Sequence, residues 1–157
     1  MTVSNEAYLK SVFDSTVALG DKVVSSDAQF VIEGFENLSI LMKQFPWPIL
    51  SSQGEIEVAG PMGTKTWQAQ QIATAVQGPF STFETNAGQI QDMLKAINEN
   101  GGYFNARVFE GTPENPKRSA RLKKCFLVLD QVDRDFENRA QLMMISGTIH
   151  YHYHGEQ

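Results

Sequence analysis

Three histidines, His150, His152 and His154, are the residues whose spacing first suggests chemistry. On a strand, alternate residues share a face, so the three imidazoles become neighbours. A His-x-His pair can hold a transition metal. No acid or cysteine in that stretch supplies an obvious further ligand. The plainer reading is a polar strand face shared with Met144, Ser146 and Thr148, opposite Met143, Ile145, Gly147, Ile149, Tyr151 and Tyr153. Asp130, Asp133 and Asp135 imitate the opening of a calcium loop but lack its glycine and closing glutamate. The single cysteine, Cys125, lies in the apolar run Cys125-Phe126-Leu127-Val128-Leu129, where a thiol is a buried, inert group. One cysteine allows no internal disulfide and no zinc or iron–sulfur framework. There is no P-loop, no Gly-x-Gly-x-x-Gly and no Gly-x-Ser-x-Gly. No catalytic set emerges, and the expectation is a protein without enzymatic activity, cofactor or resident metal.

The elements that carry these residues read as one domain over 1–157. The chain is 157 residues long, 41% apolar and 20% charged, enough to bury a core and too apolar for disorder. No apolar run approaches the ~20 residues of a spanning helix. The first residues show no basic stretch followed by an apolar one, so no cleaved secretory signal and no membrane partner are expected. Net charge is −5, and residues 1–60 carry all of it, three Lys/Arg against eight Asp/Glu. Phosphate neutralisation is therefore a poor basis for gripping nucleic acid. Lys117, Arg118, Arg121, Lys123 and Lys124 form a local basic run, followed by the acids Asp130, Asp133, Asp135 and Glu137. These are either solvated loops or complementary subunit contacts.

Residues 5–19 predict a helix with rows Tyr8, Val12, Leu19 and Leu9, Phe13, Val17, capped by Ser4 and stopped by Gly20. Phe30 to Phe45 predicts extended chain broken near Gly34. Phe45-Pro46-Trp47-Pro48 predicts an arm or corner, because neither proline donates a hydrogen bond. Glu55 to Val58 predicts a short strand before a turn at 60–63. Thr66 to Phe83 predicts one long strand. Its faces would be Gln68, Gln70, Ile72, Thr74, Val76 and Trp67, Ala69, Gln71, Ala73, Ala75, Gln77, the second being the better candidate for burial. Ile90, Met93, Leu94 and Ile97 mark a helix from 87 or 88 to 98, capped by Thr85 or Asn86, lying on the outside of a barrel wall. Strands follow at 103–110, 123–132 and 143–154. The order implies an α+β, β-dominated fold: a small antiparallel β-barrel or sandwich with one flanking helix and an extra N-terminal helix.

Phe35-Glu36-Asn37-Leu38-Ser39-Ile40-Leu41-Met42-Lys43-Gln44-Phe45-Pro46-Trp47-Pro48 resembles tail-tube proteins of contractile-tailed bacteriophages. So do Gly54-Glu55-Ile56-Glu57-Val58 with the following Pro-Met-Gly turn, and Asp133 to Arg139 leading into Ile145 to Tyr153. The resemblance covers about residues 28–155 and leaves the N-terminal helical extension, residues 1–20, outside it. Type VI secretion tubes of the haemolysin-coregulated-protein type look similar. The resemblance implies a structural virion protein, assembled in the host cytoplasm, whose six-membered rings stack into an inner tail tube for DNA ejection. Its partners would be further copies of itself, the tail sheath protein, and baseplate and tail-terminator proteins, with DNA passing unbound. Phe35, Phe45, Trp47, Lys117, Arg118, Arg121, Asp133 and Asp135 are the expected subunit contacts. Gln68, Gln70 and Thr74 are the expected channel-facing residues, uncharged and without attraction for phosphate. The competing readings are a tube-like baseplate or neck component, a small-molecule-binding β-barrel, and a metal-dependent enzyme using the histidine face.

Overall fold

A computed structural model describes residues 5–156. Helix α1 spans Glu6–Leu19; strands follow at β1 (Ala28–Ile32), β2 (Met42–Gln44), β3 (Glu55–Ala59), β4 (Lys65–Ala69) and β5 (Ala75–Phe83). Helix α2 (Gln89–Glu99) precedes β6 (Phe104–Gly111), β7 (Pro116–Leu129) and β8 (Met144–His152). Six strands form one antiparallel sheet in the order β1-β6-β7-β8-β5-β2, and β3 and β4 form a separate hairpin. The six-stranded sheet curls into a nearly closed barrel. Its two end strands are drawn together by Phe30 of β1, which stacks on Phe45 just beyond β2 with ring centroids 5.6 Å apart. The expected α+β, β-dominated barrel is the fold observed.

Period-2 alternation builds the core. Phe30 and Ile32, Ala106 and Val108, Ala120 and Leu122, and Ile145, Ile149 and Tyr151 are buried from their respective strands. The histidine strand divides as its alternation predicts, with Ile145, Ile149 and Tyr151 inward. On β7 the alternation changes phase: Leu122 and Cys125 are both buried. Lys124 makes this possible by adopting a positive φ of 48°, while its N–H donates to Asn105 Oδ1 at 3.1 Å. The register against β8 slips between Lys123 and Phe126, the mark of a β-bulge. Ile90, Met93 and Ile97 of α2 enter the same core cluster as the inward strand residues, with Leu94 packed at its margin. The helix stripe thus packs on the strands through the same cluster as their inward residues.

Four expectations are corrected. The expected break falls at Gly34, at φ +92°, but the chain beyond it is a 3-10 helix over Glu36–Leu41 that buries Leu38, where extended chain was expected. Thr66 to Phe83 is two strands, because the chain leaves β4 and meets Ser51–Gln53 through a bridge at Ile72 and backbone bonds at Gln71 and Ala73 before entering β5. Strand β7 begins at Pro116, seven residues before the expected Lys123, since Arg121 and Lys123 project outward and do not interrupt it. The cap of α2 is neither Thr85 nor Asn86. Gly88 occupies the cap position in the left-handed region without a side-chain bond, and Glu84 reaches over to the helix N-terminus. For α1, Ser4 lies outside the described residues; Asn5 Oδ1 accepts from Tyr8 N at 2.8 Å, and Gly20 ends the helix as expected.

Candidate assembly interface

Three elements leave the barrel with their apolar side chains in solvent. In α1 no residue is buried; its Tyr8, Leu9, Val12, Phe13, Val17 and Leu19 are all exposed, Phe13 by 66%. In the β3–β4 hairpin every residue is exposed, Trp67 by 71%. The register pairs Glu57 with Trp67 and Ile56 with Gln68, so one face carries Glu55, Glu57, Lys65 and Trp67 and the other Ile56, Val58, Thr66 and Gln68. Glu57 and Lys65 form an ion pair at 2.7 Å on the charged face. The segment between β7 and β8 holds Phe136, 92% exposed, and Leu142.

Gln68, Gln70 and Thr74 do not share one strand face. Gln68 sits on β4, and Thr74 lies just ahead of β5. Gln70 lies in the link between them, its Nε2 donating to the Glu55 carbonyl at 3.0 Å. The set containing Trp67 is not the buried one either: Trp67, Ala69 and Ala75 are exposed. Of the expected subunit contacts, Phe35 and Phe45 pack on the chain's own core. Around Trp47 the chain is extended, with Pro46 and Pro48 turned in and Trp47 turned out. A Cβ at Gly78 would run into Pro46, so the arm lies close against β5 there. Arg118 reaches Glu110 at 3.8 Å and Arg121 reaches Glu33 at 3.5 Å. Lys117 and Arg118 are separated from Asp133 and Asp135 by the length of β7, so the basic and acidic runs do not meet within one chain.

The histidines do not converge on a ligand. His150 stacks in parallel on Phe126 at 4.7 Å, and its Nδ1 is buried without a hydrogen-bond partner. His152 Nδ1 lies 3.3 Å from the carbonyls of Lys123 and Lys124 at the bulge. His154 lies beyond the end of β8. Among the described residues no group of three His, Cys, Asp or Glu side chains is placed to hold a metal. Burial, with a smaller push from Glu33, raises the Cys125 thiol to about 12, so it stays protonated. A polar groove of about 780 Å³ lies between the start of α2 and the β7–β8 segment, lined by Glu84, Gln91, Asp133, Asp135 and Asn138 among others. Glu84 lines it, and sequence reasoning missed it. Its carboxylate accepts from the N–H groups of Thr85, Ile90 and Gln91 at 2.8–3.0 Å. Partial burial pushes its pKa up, but these three donors outweigh that and hold it below the usual value. The signal available was an acid a few residues ahead of a helix whose start lacked a certain cap.

No family model matches the chain, and no curated protein matches it in sequence. Solved structures do match its fold. A chain from the cryo-EM structure of the anti-feeding prophage baseplate aligns with a TM-score of 0.59 and 13% identity, covering 84% of this chain and 93% of that one. This protein has the fold of chains found in contractile injection particles. A chain of the PVC sheath-tube complex, an extracellular contractile injection system in its extended state, matches with a TM-score of 0.54, 12% identity and coverage of 87% and 92%. A chain of the anti-feeding prophage tube-terminating cap matches with a TM-score of 0.55, 13% identity and coverage of 85% and 89%. At such identities the likeness is one of fold, and the surfaces must be argued from this chain's own residues.

Proposed function

We propose that this protein is a structural subunit of the tube of a contractile tail or injection particle. Six-membered rings of it stack into a conduit, enclosed by sheath and bounded by baseplate and terminator proteins. The observation that carries this reading is the barrel core beside three projecting elements whose large apolar side chains nothing among the described residues covers. Exposed apolar surface of that extent marks protein–protein contact. A two-stranded hairpin such as β3–β4 is marginal alone and is stabilised when a partner covers it. The acidic balance and the absence of a catalytic constellation agree with a conduit that must not hold phosphate.

Light scattering and negative-stain imaging of the purified full chain test this. Rings or stacked tubes are expected; a monomer at micromolar concentration overturns it. A second reading, a ring at the baseplate or cap end, is favoured by the fold shared with chains from a baseplate and from a tube cap. Single rings that never lengthen would select it. Within the tube we place Gln68, Gln70 and Thr74 toward the channel, now carried by the hairpin and its link. Lysine at all three should make the tube retain DNA with a steep salt dependence. Unchanged DNA passage would remove them from the channel wall.

A further inference from the structure

Helix α1 is well made and packs on nothing among the described residues. Asn5 caps it and Gly20 stops it, and every one of its side chains is exposed. At 100° per residue, Tyr8, Leu9, Val12, Phe13 and Leu19 fall on one face. Glu6 borders that face beside Phe13, and Asp14 points the opposite way. Residues 20–27 join α1 to β1, eight residues that span up to ~26 Å when extended.

On the outer face of β1, β6 and β7 lies a groove of about 550 Å³ with a floor of Val31, Phe109 and Pro113. Its lining carries two arginines, Arg107 and Arg121, and two glutamates, Glu33 and Glu36. Arg107 and Arg121 stand directly opposite each other on β6 and β7. Like charges in that register destabilise a sheet. Arg121 is neutralised by Glu33 at 3.5 Å, but Arg107 has no carboxylate within ion-pair distance among the described residues. Glu6 likewise has no cationic partner among them. Glu36 accepts from Gly34 N instead, so the groove offers an apolar floor with one arginine in no ion pair, and α1 an apolar stripe bordered by one acid in no ion pair.

We propose that α1 of one copy docks in the β1–β6–β7 groove of a neighbouring copy, with its stripe on Val31 and Phe109 and Glu6 on Arg107. A second copy is the occupant because α1 does not lie in its own chain's groove, every one of its residues being exposed, while each chain supplies one helix and one groove. The linker also leaves from β1, the strand that forms one side of that groove. A contact of this kind is head-to-tail and closes when copies form a ring. The inference deepens the ring reading above and rests on it.

Mixing of two full-length variants, each defective on one side, tests the exchange. Phe13→Asp spoils the helix, and Arg107→Glu spoils the groove. Each alone should fall from ring mass to monomer mass by light scattering, with its melting curve unchanged. Mixed in equal amounts they should form dimers, through the intact helix of one and the intact groove of the other. Phe109→Ser should behave as Arg107→Glu does, which guards against a folding defect in one groove variant. The double variant Glu6→Arg, Arg107→Glu should regain ring mass. If the parent forms rings and the single variants form them equally well, the docking is wrong while the ring reading stands. If the single variants are monomers but their mixture stays monomeric, α1 does not pass between copies and the proposal is overturned. A monomeric parent overturns both.

Discussion

The barrel and the elements that leave it obey the same local rules and end in opposite states. In β1, β6 and β8 the buried side chains fall on alternate positions, and Phe30, Val108 and Ile149 reach complete burial. Helix α1 has an apolar stripe, a cap and a stop, and buries nothing. The β3–β4 hairpin has a clean register and buries nothing. A 14-residue helix in water is near the limit of independent stability. Regular secondary structure in this chain therefore ends in two states: one set of elements buries its apolar side chains, and the other, which the proposed assembly would cover, leaves them in solvent.

The largest expected effect lies inside the barrel. Phe30 is fully buried, stacks on Phe45, and meets Phe80 edge-on at 6.0 Å. Phe30→Ala removes the ring that ties the two end strands together and leaves a cavity. It should cost about 3–5 kcal/mol in denaturant unfolding. A loss below about 1 kcal/mol would show that the barrel closes by other means, and the contrast with the projecting elements would weaken.

Gly147 comes next. A Cβ there would collide with the Val128 carbonyl oxygen and lie 2.7 Å from Leu129 Cα, both backbone atoms of the paired strand. Backbone cannot swing aside as a flexible side chain does, so β7 and β8 would have to part. Gly147→Ala should cost roughly 1–3 kcal/mol, as overpacking does. An unchanged melting temperature would mean that this pairing is looser than its register implies.

Glu84 sharpens the comparison at the join between barrel and helix. Its folded-state pKa lies below the usual 4.5, so the carboxylate contributes stability at pH above that value. The contribution is lost as pH falls through the depressed folded-state value. Glu84→Gln keeps one acceptor but removes the charge, and should cost about 1 kcal/mol at pH 7. The gap between parent and variant should shrink below pH 4.5 and vanish in stronger acid. A gap that is constant from pH 3 to pH 7 would detach Glu84 from α2.

What could be read from the sequence follows from how local each signal was. The α2 stripe of Ile90, Met93 and Ile97 and the alternation in β8 repeat over several residues, and both were legible. So was the barrel class, because one strong helix interrupts a run of strands. The break between β4 and β5 was not legible, because residues 70–74 are as β-compatible as their neighbours and only the pairing with Ser51–Gln53 ends the strand. The basic start of β7 looked like loop because outward lysines and arginines on a strand are indistinguishable in composition from a solvated turn. The phase change at Lys124 depends on Asn105, nineteen residues away, and Glu84 acts across a turn rather than as an adjacent cap. The sequence suggested apolar surface beyond one domain's needs but not its place: Phe35 and Phe45 pack on the chain's own core, and the exposed aromatics include Tyr8, Phe13, Trp67, Tyr103 and Phe136.

The smallest expected effect on folding is therefore the most direct probe of the contrast. Trp67 is 71% exposed on a hairpin with no buried residue, and its strand partner Glu57 is held by Lys65 rather than by the indole. Trp67→Ala removes a large apolar side chain, yet in the isolated subunit that side chain is already in water, so little transfer free energy is lost. The unfolding free energy of the monomer should change by less than about 0.5 kcal/mol. The same substitution should lower the melting temperature or salt resistance of assembled rings, because an aromatic anchor at an interface contributes far more than one in solvent. Both measurements are needed on the same preparation. A monomer destabilised by more than about 1 kcal/mol would place the hairpin with the barrel, and assembled particles indifferent to the change would leave Trp67 as surface without a partner.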